Sequence, residues 1–194
     1  MEQIRSFIAV ELPEGIETRI EQLEAQLKSE TQTRVKWVDP NSIHLTLKFL
    51  GNIDAGRTGE ITRVMEEAVK GIPPFRLSVK DLGVFPNVRR VQVAWVGLSG
   101  EVDRLRQLQQ RLESSLEQLG FAAESRAFTP HLTIARIRDQ ASPDERQRFG
   151  QLITGSSFEA GEISVDAISL MRSQLTRQGA IYSRLGSAGL TDLT

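Results

Sequence analysis

The sequence predicts an α+β fold: two lobes related by a pseudo-twofold, with two mainly antiparallel sheets flanking a central cleft and helices on the outside. Three observations predict it. Short apolar runs suited to strands alternate with segments of helical periodicity along the whole chain. The order strand, helix, strand, helix, strands occurs twice. The two halves also match in detail: Ala9, Val10 and Leu12 correspond to Trp95, Val96 and Leu98 at an offset of about 86, and His44–Leu47 corresponds to His131–Ile134 at about 87. An internal duplication accounts for all three. The chain then reads as one domain over residues 1–194, made of two intertwined lobes, with one motif at 44–47 and its counterpart at 131–134.

Taken in order, Ser6–Leu12 is a buried strand ending at Pro13. Ile16, Ile20, Leu23 and Leu27 fall at helical spacing, so a helix runs from Glu14 to about Ser29, its many carboxylates forming a solvated face. Val35–Val38 is a short strand before the turn Asp39–Pro40–Asn41. His44–Gly51 is a strand closed by glycine, and Ile61, Val64, Met65 and Ala68 mark a second helix. Phe75–Phe85 holds one or two strands. The second half repeats the order: a strand at Val91–Leu98, a long amphipathic helix from Val102 to Leu119 stopped by Gly120, and a strand at His131–Ile137. A helix follows at Pro143–Leu152, where proline suits the first turn. Strands near Phe158–Val165, Ala167–Arg172 and Ala180–Leu185 complete the fold.

Composition narrows the chemistry. The 194 residues are 39% hydrophobic and 25% charged, with no cysteine and two histidines. That is ordinary globular composition. It excludes disulfides, cysteine-based metal sites and thiol nucleophiles. A formal charge of −1 argues against holding nucleic acid by bulk electrostatics. The lysines are Lys28, Lys36, Lys48, Lys70 and Lys80, and every other cation is arginine. Arginine suits bidentate phosphate recognition, and codon bias in a GC-rich genome accounts for the same skew. The apolar run Phe7–Val10 is stopped by Glu11, too short for a signal peptide, and no segment approaches membrane-spanning length. The expectation is a cytoplasmic protein, monomeric and without a membrane partner.

Both histidines sit in one pattern, His44-Leu45-Thr46-Leu47 and His131-Leu132-Thr133-Ile134. In a strand, residues i and i+2 share a face. Each motif therefore presents an imidazole and a hydroxyl together, backed by leucine or isoleucine toward a core. Two imidazoles titrating near neutrality can divide proton uptake and release, and hydroxyls can donate to phosphate oxygens. That set fits in-line displacement at a phosphodiester. The two motifs are alike, so they do not say which histidine is acid and which is base. Neither motif has Asp or Glu beside it in sequence, which disfavours zinc. P-loop, nucleophile-elbow and dinucleotide-binding motifs are absent.

With these motifs the chain resembles the 2H phosphoesterases, in particular the bacterial and archaeal RNA 2',3'-cyclic phosphodiesterases first described as 2'-5' RNA ligases. SFIAVELP, WVDPNSIHLTLKFLG, LGVFP, FTPHLTIAR and SLMRSQLTRQGAIYSRL carry the resemblance, in the family order and over essentially the whole chain. It implies a bilobal fold with the motifs facing across a cleft, His44 as proton donor to the departing 3' oxygen, His131 as proton acceptor from water, and Thr46 and Thr133 on the phosphate oxygens. It implies metal-independent hydrolysis of RNA 2',3'-cyclic phosphate ends to 2'-phosphates, with no cofactor. Arg136 matches an arginine that the family places by its substrate. Strand parity groups residues 131, 133 and 135, so Arg136 reaches the cleft only through a bend or around the strand edge.

Further substrate-binding candidates are Phe49, Phe85 and Tyr182 for stacking on a base, and Arg126, Arg89 and Arg90 for an RNA end. Lys48 shares alternating parity with His44 and Thr46 and is expected to face the phosphate. Core packing or solvent exposure accounts equally for several of these. Alternatives to hydrolysis of RNA ends are reversible 2'-5' ligation at the same site, a small cyclic-phosphate nucleotide as substrate, and a module that binds terminal phosphates without turnover.

Overall fold

The computed structural model describes residues 1–192. The apolar N-terminal run forms β1 (Gln3–Glu11). Pro13, pre-set in φ, leads into α1 (Glu14–Glu30), which buries Ile16, Ile20, Leu23 and Leu27 as one stripe. β2 (Val35–Trp37) is followed by a single 3₁₀ turn, Pro40–Ser42, started by the Asp39 side chain accepting from the Asn41 N–H at 3.0 Å. β3 (His44–Asp54), α2 (Thr58–Val69), β4 (Phe75–Phe85) and β5 (Val93–Gly100) follow. Phe75–Phe85 is therefore one strand, with a register irregularity between Val79 and Leu82 where Asp81 takes φ 70°.

α3 (Val102–Glu117) presents Leu105, Leu108, Leu112 and Leu116 to the core. β6 (His131–Ile137) leads to α4 (Pro143–Thr154), whose start is a reciprocal capping box between Ser142 and Glu145 with proline in the first turn. β7 (Glu159–Val165), β8 (Ala167–Thr176) and β9 (Gly179–Gly189) end the fold. The last two strands run beyond the apolar segments that signal them.

The strands form two antiparallel sheets, β3-β1-β8-β9 and β2-β6-β5-β4-β7. The halves exchange elements. The first half sends β2 and β4 to the second sheet, and the second half returns β8 and β9 to the first. Helices cross over as well: α2 packs on β8 and β9 and α3 on β3, whereas α1 packs on β7 and α4 on β4. The mixed α+β class and the paired sheets agree with the sequence expectation. Most buried apolar side chains join one cluster under the helix-covered faces, Ile8, Leu45 and Leu170 from the first sheet with Val96, Leu132 and Ile134 from the second. Phe7, Ala9 and Met171 form a separate small cluster with Tyr182, on the helix-free face of the first sheet.

Glycine permits several close approaches, among them those at Gly83 and Gly186. A Cβ at Gly83 would stand 2.2 Å from the Trp95 ring, and one at Gly186 would stand 2.4 Å from the Thr62 hydroxyl on α2. Among the described residues, no helix is long and apolar enough to cross a membrane.

Candidate active site

Each motif strand carries a β-bulge at the same place. In the first sheet Ala9 pairs with Thr46 and Ile8 with Lys48, leaving Leu47 as the extra residue. In the second, Trp95 pairs with Thr133 and Ala94 with Ala135, leaving Ile134. A bulge adds one residue to one strand and inverts the alternation beyond it. Two consecutive side chains, Leu47 and Lys48 or Ile134 and Ala135, therefore turn toward the core. The residue five places after each histidine returns to the histidine face.

This decides Lys48 and Arg136 in opposite senses. Lys48 does not share the face of His44 and Thr46, which corrects the expectation from simple alternation. It is buried, and its ammonium donates to Glu113 Oε2 on α3 at 2.9 Å and to the Ala122 carbonyl at 2.7 Å. Arg136 gains the bend that its parity demanded. It is exposed, pairs in register with Val93, and lies on the side of His131 and Thr133. Its counterpart in the first half is Phe49, 71% exposed and packed at 6.3 Å on Phe7.

The imidazoles are held alike. His44 Nδ1 donates to the Ser42 carbonyl at 3.0 Å, and His131 Nδ1 donates to the Thr129 carbonyl at 2.7 Å. A carbonyl only accepts, so the proton is fixed on Nδ1 and Nε2 is the nitrogen left to exchange protons. Thr46 and Thr133 are half-buried on the same faces. Tyr182 and Phe7 meet the His44 ring edge-on, with centroids at 5.1 and 5.5 Å. Phe85 meets His131 at 5.0 Å and leans on Trp95 at 5.3 Å. Aromatic walls restrict each ring to few orientations and exclude water from its flanks.

The connection between the sheets brings the motifs together. The Val38 N–H donates to the carbonyl of Ile134, inside the second motif, at 2.9 Å. Only Asp39–Ile43, partly wound as a 3₁₀ turn, separate Val38 from His44. The strands β3 and β6 accordingly touch across the junction of the sheets.

The remaining candidates lie on connections outside the motif strands. Arg126 is exposed on the irregular segment between α3 and β6, its backbone N–H reaching Glu124. Arg89 and Arg90 are exposed on the turn after β4, where both N–H groups donate to Asn87 Oδ1.

Sequence adjacency conceals a carboxylate at the site. Glu11 pairs in register with His44 across β1 and β3. Its Oε2 accepts from Ser169 Oγ at 2.7 Å and from Arg184 Nε at 2.8 Å. Burial opposes its charge, but the Arg184 and Ser169 hydrogen bonds and the charges of Arg184 and His44 outweigh burial and hold the carboxyl below its usual range. Burial depresses the His44 imidazole, against the Ser42 carbonyl and the Glu11 charge, which both favour imidazolium. The duplication offers the signal that finds Glu11: it stands between Val10 and Leu12 where Gly97 stands between Val96 and Leu98. Among the described residues, no three His, Asp or Glu side chains gather in a metal-holding group.

The family model of the 2'-5' RNA ligase superfamily matches residues 12–177. A protein of Methanothermobacter thermautotrophicus named RNA 2',3'-cyclic phosphodiesterase is 35% identical over 93% of this chain and 96% of its own length. One of the same name from Aquifex aeolicus is 33% identical over 94% and 95%. Among solved structures, E. coli LigT complexed with 3'-AMP superposes with a TM-score of 0.78 at 26% identity, covering 98% of this chain and 99% of that one. TT0787 of Thermus thermophilus gives 0.75 at 27%, over 96% and 98%.

Proposed function

Because the chain belongs to the 2'-5' RNA ligase superfamily, we propose that it is an RNA 2',3'-cyclic phosphodiesterase working by two-histidine acid–base catalysis without a metal. The carrying observation is the matched pair of imidazoles, each with Nδ1 held by the carbonyl two residues before it. Both Nε2 atoms are thereby left for proton transfer.

In this reading Nε2 of His131 takes a proton from water as its oxygen bonds to phosphorus. The bond from phosphorus to the 3' oxygen breaks, and Nε2 of His44 supplies the proton that this oxygen needs. The product is a 2'-phosphate beside a free 3' hydroxyl. Solvent exchange then returns a proton to His44 and removes one from His131. The Thr46 and Thr133 hydroxyls and the Arg136 guanidinium donate to the non-bridging oxygens, where charge grows in the transition state. Phe49 and Tyr182 offer flat apolar surface to the terminal base, and Phe85 backs His131. We take the whole chain as one such domain of two intertwined lobes, a cytoplasmic monomer acting on RNA ends, with Arg126 toward the strand that leads in.

An oligoribonucleotide ending in a 2',3'-cyclic phosphate tests the proposal, incubated in EDTA with 2'- and 3'-phosphate products resolved. The 2'-phosphate is expected at an undiminished rate. His44→Ala and His131→Ala each lose about 10²–10⁴ in rate while still folded. Full activity in either variant, or loss of activity on chelation, would overturn the mechanism.

A further inference from the structure

The two motifs are alike in histidine, threonine and bulge, yet their cross-strand neighbours differ. Glu11 faces His44, and Gly97 faces His131. The difference is fixed by packing. A Cβ at Gly97 would lie 2.8 Å from the Lys80 carbonyl oxygen, so a carboxylate cannot stand there without a backbone shift. At the matching place in the first sheet there is room, and Ser169 from β8 and Arg184 from β9 close on one oxygen of Glu11.

We propose that Glu11 is a positioning residue that breaks the symmetry of the two histidines, assigning the proton-donor role to His44 and leaving the acceptor role to His131. The assignment rests on the proposed hydrolysis. An anion beside an imidazole favours its protonated form, and at His44 the Glu11 charge works against the burial that depresses the ring; His131 has glycine, not a carboxylate, across the strand. Glu11 is itself kept anionic and in place by Arg184, whose Nη2 also approaches Oε2 at 2.8 Å. The charged and titratable groups on this face are Arg5, Glu11 and His44, with Arg184 and Tyr182 from β9. On the helix-free side of the other sheet, His131 shares β6 with Arg136 and neighbours Lys36 on β2, and the outer strands β4 and β7 carry Arg76, Lys80, Glu159 and Glu162.

The test is a titration of both imidazoles by NMR in the parent chain, Glu11→Gln and Glu11→Asp, together with kcat/KM against pH. Glu11→Gln is expected to lower the His44 midpoint by about one pH unit and leave that of His131 in place. A donor must be protonated, so the fall of kcat/KM at high pH moves down with it, and the rate above both midpoints drops about tenfold. Glu11→Asp restores most of the shift. A purely structural role would lower kcat/KM equally at every pH and move neither midpoint. An unchanged His44 midpoint in Glu11→Gln overturns the proposal. So does a His44 shift that the alkaline limb does not follow. The titration needs no substrate. A parent chain that titrates as expected but does not turn over the cyclic phosphate therefore refutes the hydrolysis, not the pairing of Glu11 with His44.

Discussion

Lys48 stands in the first motif strand but is read as an anchor, and Lys48→Met tests that reading. Methionine keeps the bulk of the stem and removes the ammonium. In the folded chain the Lys48 side chain is 6% exposed and Glu113 16%. The substitution strips Glu113 of its ion partner and the Ala122 carbonyl of its donor. Breaking a buried pair by removing one partner costs about 3–5 kcal/mol when the other charge is stranded. Glu113 is not wholly stranded, because Gln109 Nε2 and the Glu124 N–H still donate to it, each at 3.2 Å. The expected loss is therefore nearer 2–3 kcal/mol, about the worth of two charge-assisted hydrogen bonds less what water restores. At about 2–4 °C per kcal/mol for a chain of this size, Tm falls by about 4–12 °C. Thermal and urea melts measure this, with kcat and KM for a cyclic-phosphate oligonucleotide taken well below the melt. KM is expected to hold within about twofold, and adding Glu113→Gln costs less than additively. A variant that melts within about 1 °C of the parent but needs about tenfold more substrate would place the ammonium on the substrate and refute the bulge argument.

Phe49→Ser should leave stability within about 0.5 kcal/mol, since the ring is largely in solvent. It should raise KM for an RNA end about 5- to 100-fold if the ring stacks on the terminal base; an unchanged KM removes Phe49 from the substrate surface. Glu24 corrects the reading of α1 as a wholly solvated acidic face. It is 3% exposed, and among the described residues its Oε1 has no hydrogen-bond partner. Burial, helped by Asp39 and Glu21 against Lys28, pushes its carboxyl up to about 8. The folded chain thus holds a proton that the unfolded chain releases near 4.5, so stability is full below that pH and falls as pH rises toward 8. Melts of the parent should decline between pH 5 and 8 by an amount on the order of 3 kcal/mol, and Glu24→Gln should remove that slope; parallel slopes in the two proteins would refute it.

Periodicity located every strand and helix to within a few residues, because apolar spacing and turn residues are local properties. The strand His131–Ile137 and the helix start at Pro143 agree at the residue level, where a histidine motif and a capping box mark the boundaries. Alternation failed at Lys48, and for a physical reason. A bulge is set by the register of two strands far apart in sequence, here Ile8 with Lys48 and Ala9 with Thr46. The same device resolves Arg136, whose parity conflict in the sequence was the trace of the bulge.

The amino-acid sequence by itself determined the repeated order of elements, the α+β class, the two His-x-Thr motifs and the absence of thiol chemistry, because each depends on residue identity and short-range spacing. Tertiary structure alone decided which strands the halves exchange, which way Lys48 and Arg136 turn, and that a carboxylate from β1, caged from β8 and β9, stands beside one histidine and glycine beside the other. Those facts arise from pairing between segments up to 173 residues apart, as Glu11 is from Arg184. Charge, burial and hydrogen bonding act through distance in space, and local sequence pattern does not encode that distance.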